Sequence, residues 1–150
     1  MKKLYKLLND GFESIPTPFM VLLARIAIVA VFLRSGLLKL SGMGDGSTLA
    51  MFTGEIRLPL LPPEIAAWLF TAAELGLPAL VLVGLLTRFA AFGLLLVTAL
   101  TAAFNLHALD MYLMWAVALL FVMRHGAGRL SLDYLISSRM SLTERTAHGV

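Results

Sequence analysis

Apolar positions in this chain do not alternate with polar ones. They run in long blocks at about residues 18–40, 63–86, 88–106 and 110–125, parted by short polar or proline-rich breaks. A helix needs roughly 20 apolar residues to cross a hydrocarbon core of about 30 Å, and the first three blocks are of that order. The fourth has a clean apolar run only over Met111–Met123, so the pattern predicts Asp110, Tyr112 and His107 at headgroup level. Taken together, the blocks predict an all-α polytopic membrane protein, an antiparallel four-transmembrane-helix bundle. The implied organisation is an amphipathic segment over 1–17, a transmembrane domain over 18–126 with an outer loop over 41–62, and a tail over 127–150.

The breaks carry local signals of their own. Leu4, Tyr5, Leu7 and Leu8 recur at helical spacing beside Lys2, Lys3 and Lys6, which suits a helix lying on a membrane surface. In the outer loop, SGMGDGS (41–47) predicts a flexible turn, and Ser47–Glu55 predicts a short helix with Ser47 or Thr48 as N-cap. RLPLLPP (57–63) must then be extended, because each proline excludes the α conformation from the residue before it. The loop is expected to cover the outer mouth of the bundle as a lid. Pro63 suits the first helical position of the second span. Pro78 removes the hydrogen bond to the carbonyl of residue 74 and favours a kink there. Trp68 and Trp115 are expected near the outer interface, and Ser131 is expected to cap a short surface helix in the tail.

Composition sharpens this reading. Only 14% of residues are charged, against about a quarter in soluble domains, while 59% are hydrophobic. The net charge of +3 is therefore explained by membrane topology and is no nucleic-acid footprint. Lys2, Lys3, Lys6, Arg88, Arg124, Arg129, Arg139 and Arg145 fall on one side, with only Arg57 and Lys39 toward the other. By the positive-inside rule both termini of this multi-pass chain face the cytoplasm, in a bacterial inner membrane. The expected partners are the lipid bilayer and a membrane protein partner or a second copy. The chain holds no cysteine, so it carries no disulfide, thiol relay or thiolate-ligated cluster of its own. It also lacks a hydrolase signature and a phosphate-cradling loop, which argues against a self-sufficient enzyme.

Glu74 is the chemical anomaly, an acid in the middle of the 63–86 block. A charge at bilayer centre costs roughly 2.5–3.5 kcal/mol on insertion scales, so it must be neutralised, paired or turned to a polar cavity. Arg25 and Arg34, nine positions apart on opposite faces of the first helix, are the leading partners, and Lys39 is the third. Arg25 shares its face with Phe32, Gly36 and Lys39; Arg34 shares its face with the small residues Ala27 and Ala30. With spans of 18–40 and 63–86, Arg25 lies about 6 Å to one side of Glu74 and Arg34 about 8 Å to the other. Two readings stand side by side: a buried ion pair that fixes one helix to another, or a polar pocket for a quinone head group or an anion.

Two further sets of residues are candidates. Thr98, Thr101 and Asn105 form one polar stripe on the third helix, suited to interhelical hydrogen bonds or to lining a ligand site. His107, Met111 and Met114, with Met43 and Met51 in the loop, offer the imidazole and thioether ligands that suit Cu(I). Methionine in an apolar block is also ordinary packing filler.

Several motifs in order resemble the DoxX family of small four-helix membrane proteins. They are the Arg25 helix with its Ser35-Gly36-x-x-Lys39 ending, the RLPLLPPEIAAW lead-in to the second span, and Ala73-Glu74. They continue in Gly84-Leu85-Leu86-Thr87-Arg88-Phe89-Ala90-Ala91 and Gly126-Ala127-Gly128-Arg129-Leu130-Ser131-Leu132-Asp133. The resemblance covers roughly residues 20–135. It implies association with membrane redox assemblies, with oxidative-stress defence or with copper-responsive operons; the family takes its name from a subunit linked to thiosulfate oxidation with quinone as acceptor. The expectation is a non-catalytic or quinone-facing accessory subunit, with quinone as the one cofactor implied. The alternatives are a binding or transport module for a small hydrophobic molecule, an anion or copper, and a structural membrane anchor. Members that work by thiol redox need cysteines, which this chain lacks.

Overall fold

Thr17–Asp45 forms one continuous helix, α1, in the computed structural model, which describes residues 16–56, 58, 61–126, 131 and 132. The predicted end at Leu40 and the turn over SGMGDGS are corrected by this. The helix runs through Ser41–Asp45 and stops at Gly46, whose φ of 80° only glycine adopts readily. Gly42 survives inside the helix because the next element lies on it. A Cβ there would collide with the Thr48 and Ser47 hydroxyls.

That next element, α2 (Ser47–Gly54), is a short helix at the distal end of the bundle. Neither Ser47 nor Thr48 caps it, contrary to expectation. Gly46 is the N-cap, and the Asp45 carboxylate accepts from the Ser47 N–H at 2.9 Å. Thr48 instead turns inward and donates to the Lys39 carbonyl at 2.7 Å, fastening α2 to α1. Phe52 anchors it from below, fully buried and 5.3 Å edge-on from Phe70. The lid expected of 57–63 falls mainly on residues 57, 59 and 60, outside those described, as do the amphipathic segment over 1–15 and the tail helix beyond Leu132.

The remaining spans are α3 (Pro63–Val83), α4 (Thr87–Phe104) and α5 (Leu109–His125), the last preceded by a single 3-10 turn at Leu106–Ala108. α3 ends at Val83, three residues short of the apolar block, because Gly84 takes φ 77° and Leu86 φ 48° in the tight turn to α4. α1 packs on α3, α3 on α4, α4 on α5 and α5 back on α1, which closes the ring. Four helices are thus long and apolar enough to cross a membrane. Their outward faces carry exposed large apolar side chains, among them Leu37, Trp68, Phe89, Leu113 and Val117. That surface is stable only in lipid.

The interior is split. One apolar cluster joins Ile28, Val29, Phe32, Val81, Ala91, Leu94 and Leu119 toward the proximal end, where α1 begins. A second joins Phe52, Ile56, Ala67, Phe70 and Val97 at the distal end, beneath α2. Polar side chains occupy the layer between.

Candidate functional site

Gly36 creates the geometry of that polar layer. A Cβ on it would lie 2.9 Å from Leu75 Cδ2 and 3.1 Å from the backbone carbonyl carbon of Glu74. With hydrogen there instead, α1 and α3 approach closely at the level of Glu74. Glu74 is itself near mid-span, about 16 Å from the start of α3 and about 14 Å from its end.

Lys39 sits one turn beyond Gly36 on the same face. Helical side chains lean toward the N-terminus, which carries the ammonium back down α1 to the acid. Nζ lies 2.7 Å from Glu74 Oε2 and 2.9 Å from Oε1, and it donates to Ser35 Oγ at 2.9 Å. The three N–H donors of an ammonium are thereby all used. The side chains are 13% and 5% exposed, so this is a buried pair.

The two arginines go elsewhere, which corrects their ranking ahead of Lys39. Arg25 is buried and docks on the end of α3. Its Nε and one terminal nitrogen donate to the Val81 carbonyl at 3.0 and 2.8 Å, and that nitrogen also donates to Leu82 at 2.8 Å. These are carbonyls of the last helical turn, where a cation also meets the negative end of the helix dipole. The docking expected at residue 74, beside Pro78, therefore occurs nearly two turns further on. Arg34 is exposed on the outside of α1, together with Ala27 and Ala30. No carboxylate among the described residues lies within ion-pair distance of it.

Beside the Lys39–Glu74 pair lies a largely enclosed cavity of about 140 Å³, on the order of ten times what one water requires. Thr98, Thr101 and Asn105 line it, so the α4 stripe faces the same space as Glu74. Thr98 and Thr101 donate back to the carbonyls of Leu94 and Val97 at 2.8 and 2.9 Å, which leaves their oxygen lone pairs toward the cavity. The opposite wall is aromatic. Trp115 lies 5.7 Å from Phe32 and 5.5 Å from Tyr112 between ring centroids, and Asn105 lines the space beside Tyr112. Tyr112 and Trp115, expected toward the outer side, both face inward, because one side of α5 closes the ring against α1. Trp68 remains outside, 59% exposed.

Glu55, Ile56 and Met51 complete the cavity at its α2 end. A wider surface groove of about 380 Å³ runs on the other side of α2, lined by Ser35, Leu38, Lys39, Ser47, Thr48 and Met51. Ser35, Lys39 and Met51 border both spaces, so Lys39 and Met51 stand between the cavity and the exterior. No spacing rule gave Met51 or Glu55 a place here; only the packing of α2 does.

His107, Met111 and Met114 lie on the outside of the bundle. All three are exposed, Met114 to 72%, and no cluster of three potential histidine, cysteine or carboxylate ligands occurs among the described residues.

The fold and site together define a polytopic α-helical membrane protein with a buried lysine–glutamate pair beside an intramembrane cavity. Residues 20–108, more than half of the chain, match the DoxX family, and the chain belongs to it. It is also similar to an uncharacterized protein of Haemophilus influenzae, at 31% identity over 136 residues that cover 83% of this chain and 87% of the relative. No solved structure matches.

Proposed function

We propose that the chain is an accessory subunit of a redox or stress-related assembly in the bacterial inner membrane, and that its cavity binds a quinol-type head group. Both termini face the cytoplasm in this reading, following the lysine and arginine asymmetry. The observation that carries it is the donor–acceptor balance of the cavity. Lys39 spends all its N–H groups on Glu74 and Ser35. Thr98 and Thr101 spend their hydroxyl protons on their own helix. What faces the space is a mixed set: the second lone pairs of Glu74, the threonine oxygens and Glu55 as acceptors, with Asn105 and Tyr112 able both to donate and to accept, set against the aromatic wall of Phe32, Tyr112 and Trp115. A ring bearing hydroxyl groups satisfies both sides at once. A free anion does not, because the cation is already neutralised.

Trp115 makes the test direct, since the chain has two tryptophans and only Trp115 lines the cavity. In a Trp68→Phe background, a short-chain ubiquinone analogue, oxidised or reduced, is titrated into protein in liposomes and Trp115 emission is followed. Saturable quenching, tighter for the reduced form and lost in Glu74→Gln, is expected. Linear quenching that is identical in Glu74→Gln would overturn the reading and leave a structural anchor.

A further inference from the structure

The outward face of α1 carries a charge where lipid offers no partner. Gly36 lies level with Glu74, so the Cα of Arg34 is about 3 Å from mid-span. The edge of the hydrocarbon core is then about 12 Å away on the nearer side, further than an extended arginine side chain reaches. Arg34 is exposed and bonds to nothing among the described residues. An arginine this deep on a lipid-facing helix costs roughly 2.5–3.5 kcal/mol even on the mildest scale. By contrast the other mid-depth charges among the described residues, Lys39 and Glu74, are turned inward and bonded to each other.

Among the described residues, a second copy of this chain offers Arg34 no exposed acid at its own depth. A parallel pair packed on this face brings one Arg34 against the other. The mid-depth acid Glu74 is buried and held by Lys39, while the exposed acids Asp45, Glu55, Glu64 and Asp110 all sit at the distal end. The required countercharge is an acid at mid-depth on a different polypeptide. On either side of Arg34, the same face presents Leu23, Ala27, Ala30, Leu38 and Ser41, all exposed. The alanines let a second helix backbone approach on the proximal side of the arginine.

We infer that the Arg34 face of α1 docks a transmembrane helix of another protein, one that carries a glutamate or aspartate near its own midpoint. The pairing does not involve the cavity and stands or falls apart from any ligand bound there.

The test uses the full chain with a fluorophore on Gly44→Cys, a position where a side chain meets nothing within 4 Å and the protein has no competing thiol. Acceptor-labelled, leucine-rich transmembrane peptides of about 23 residues are mixed with it in phosphatidylcholine liposomes. One peptide has a central glutamate, one a central glutamine and one only leucine. Energy transfer is expected to show the glutamate peptide binding about tenfold more tightly than the leucine peptide. The advantage should vanish in Arg34→Leu and return in part in Arg34→Lys. Thermal unfolding of Arg34→Leu, which breaks no contact, controls for folding and should show no loss of stability. Equal binding of the three peptides overturns the inference, as does a glutamate preference that persists in Arg34→Leu. Efficient disulfide cross-linking of Ala30→Cys between copies without peptide also overturns it, in favour of self-association.

Discussion

Lys39 and Glu74 neutralise one another in a place where neither is tolerable alone. Taking charges out of water is expensive, and the mutual attraction repays it only with good geometry. Two short contacts to the carboxylate and a third hydrogen bond to Ser35 supply that geometry. Removing one partner leaves the other buried and uncompensated, a loss of about 3–5 kcal/mol in comparable cases, whereas replacing both by apolar groups is often neutral or better. Lys39→Met and Glu74→Leu are therefore each expected to destabilise the protein by about that amount, and the double variant to recover most of it. Denaturant unfolding in detergent of the four proteins of this cycle measures the coupling. A double variant no better than the worse single one would mean that the pair does not act as a unit. If the double variant is stable yet no longer shows saturable quinol quenching, the pair is kept for the pocket and not for the fold.

Between helices, the controlling contact is the crossing of α1 and α3 at Gly36. The two potential collisions there differ in kind. Leu75 Cδ2 can swing aside, but the Glu74 backbone cannot, so an added methyl must push the helices apart. Overpacking of this sort costs about 1–3 kcal/mol, and each kcal/mol moves the midpoint of a chain this size by about 2–4 °C. Gly36→Ala should accordingly lower Tm by several degrees and stretch the Lys39–Glu74 contact next to it. Gly76→Ala, two residues past Glu74 with nothing within 4 Å of the new methyl, is the matched control. Alanine favours helix over glycine by about 0.5–1 kcal/mol, so its Tm should hold or rise. Differential scanning of both variants decides this, and an equal fall in both would mean that packing at Gly36 is not what sets the approach. At the other end of the same pair, Arg25 clamps the last carbonyls of α3. α1 thus holds α3 at two levels, with the apolar cluster of Ile28, Val29, Phe32 and Val81 between them.

For the whole molecule, the blocks of apolar residues made the four spans legible, and the charge at position 74 made the depth of the site legible. What the pattern hid was which cation reached it. Ending the first helix at Leu40 places Lys39 at the span's edge, in the headgroups. The helix in fact continues to Asp45 because α2 folds back onto Gly42, which puts Lys39 about 9 Å inside the helix end and aims it at Glu74. That is a tertiary contact, invisible to a count of hydropathy. The direction of the aromatics was hidden for a related reason: position along the fourth block speaks to the depth of Tyr112 and Trp115, while their inward direction follows from one face of α5 closing the ring. Orientation is the remaining whole-molecule property, and it fixes which compartment the groove beside Lys39 opens to. The proposed orientation, drawn from the lysine and arginine asymmetry, has α2 outside and both termini inside. Because the chain contains no cysteine, single thiols report this cleanly. Gly44→Cys, on the exposed distal stretch of α1, should react with a membrane-impermeant maleimide on intact spheroplasts, and Val150→Cys only after permeabilisation. The opposite pattern would invert the bundle and open the groove to the cytoplasm. With the expected pattern, a head group bound as proposed enters past Lys39 and Met51 from the outer leaflet, and the proposed redox partner acts on that side of the membrane.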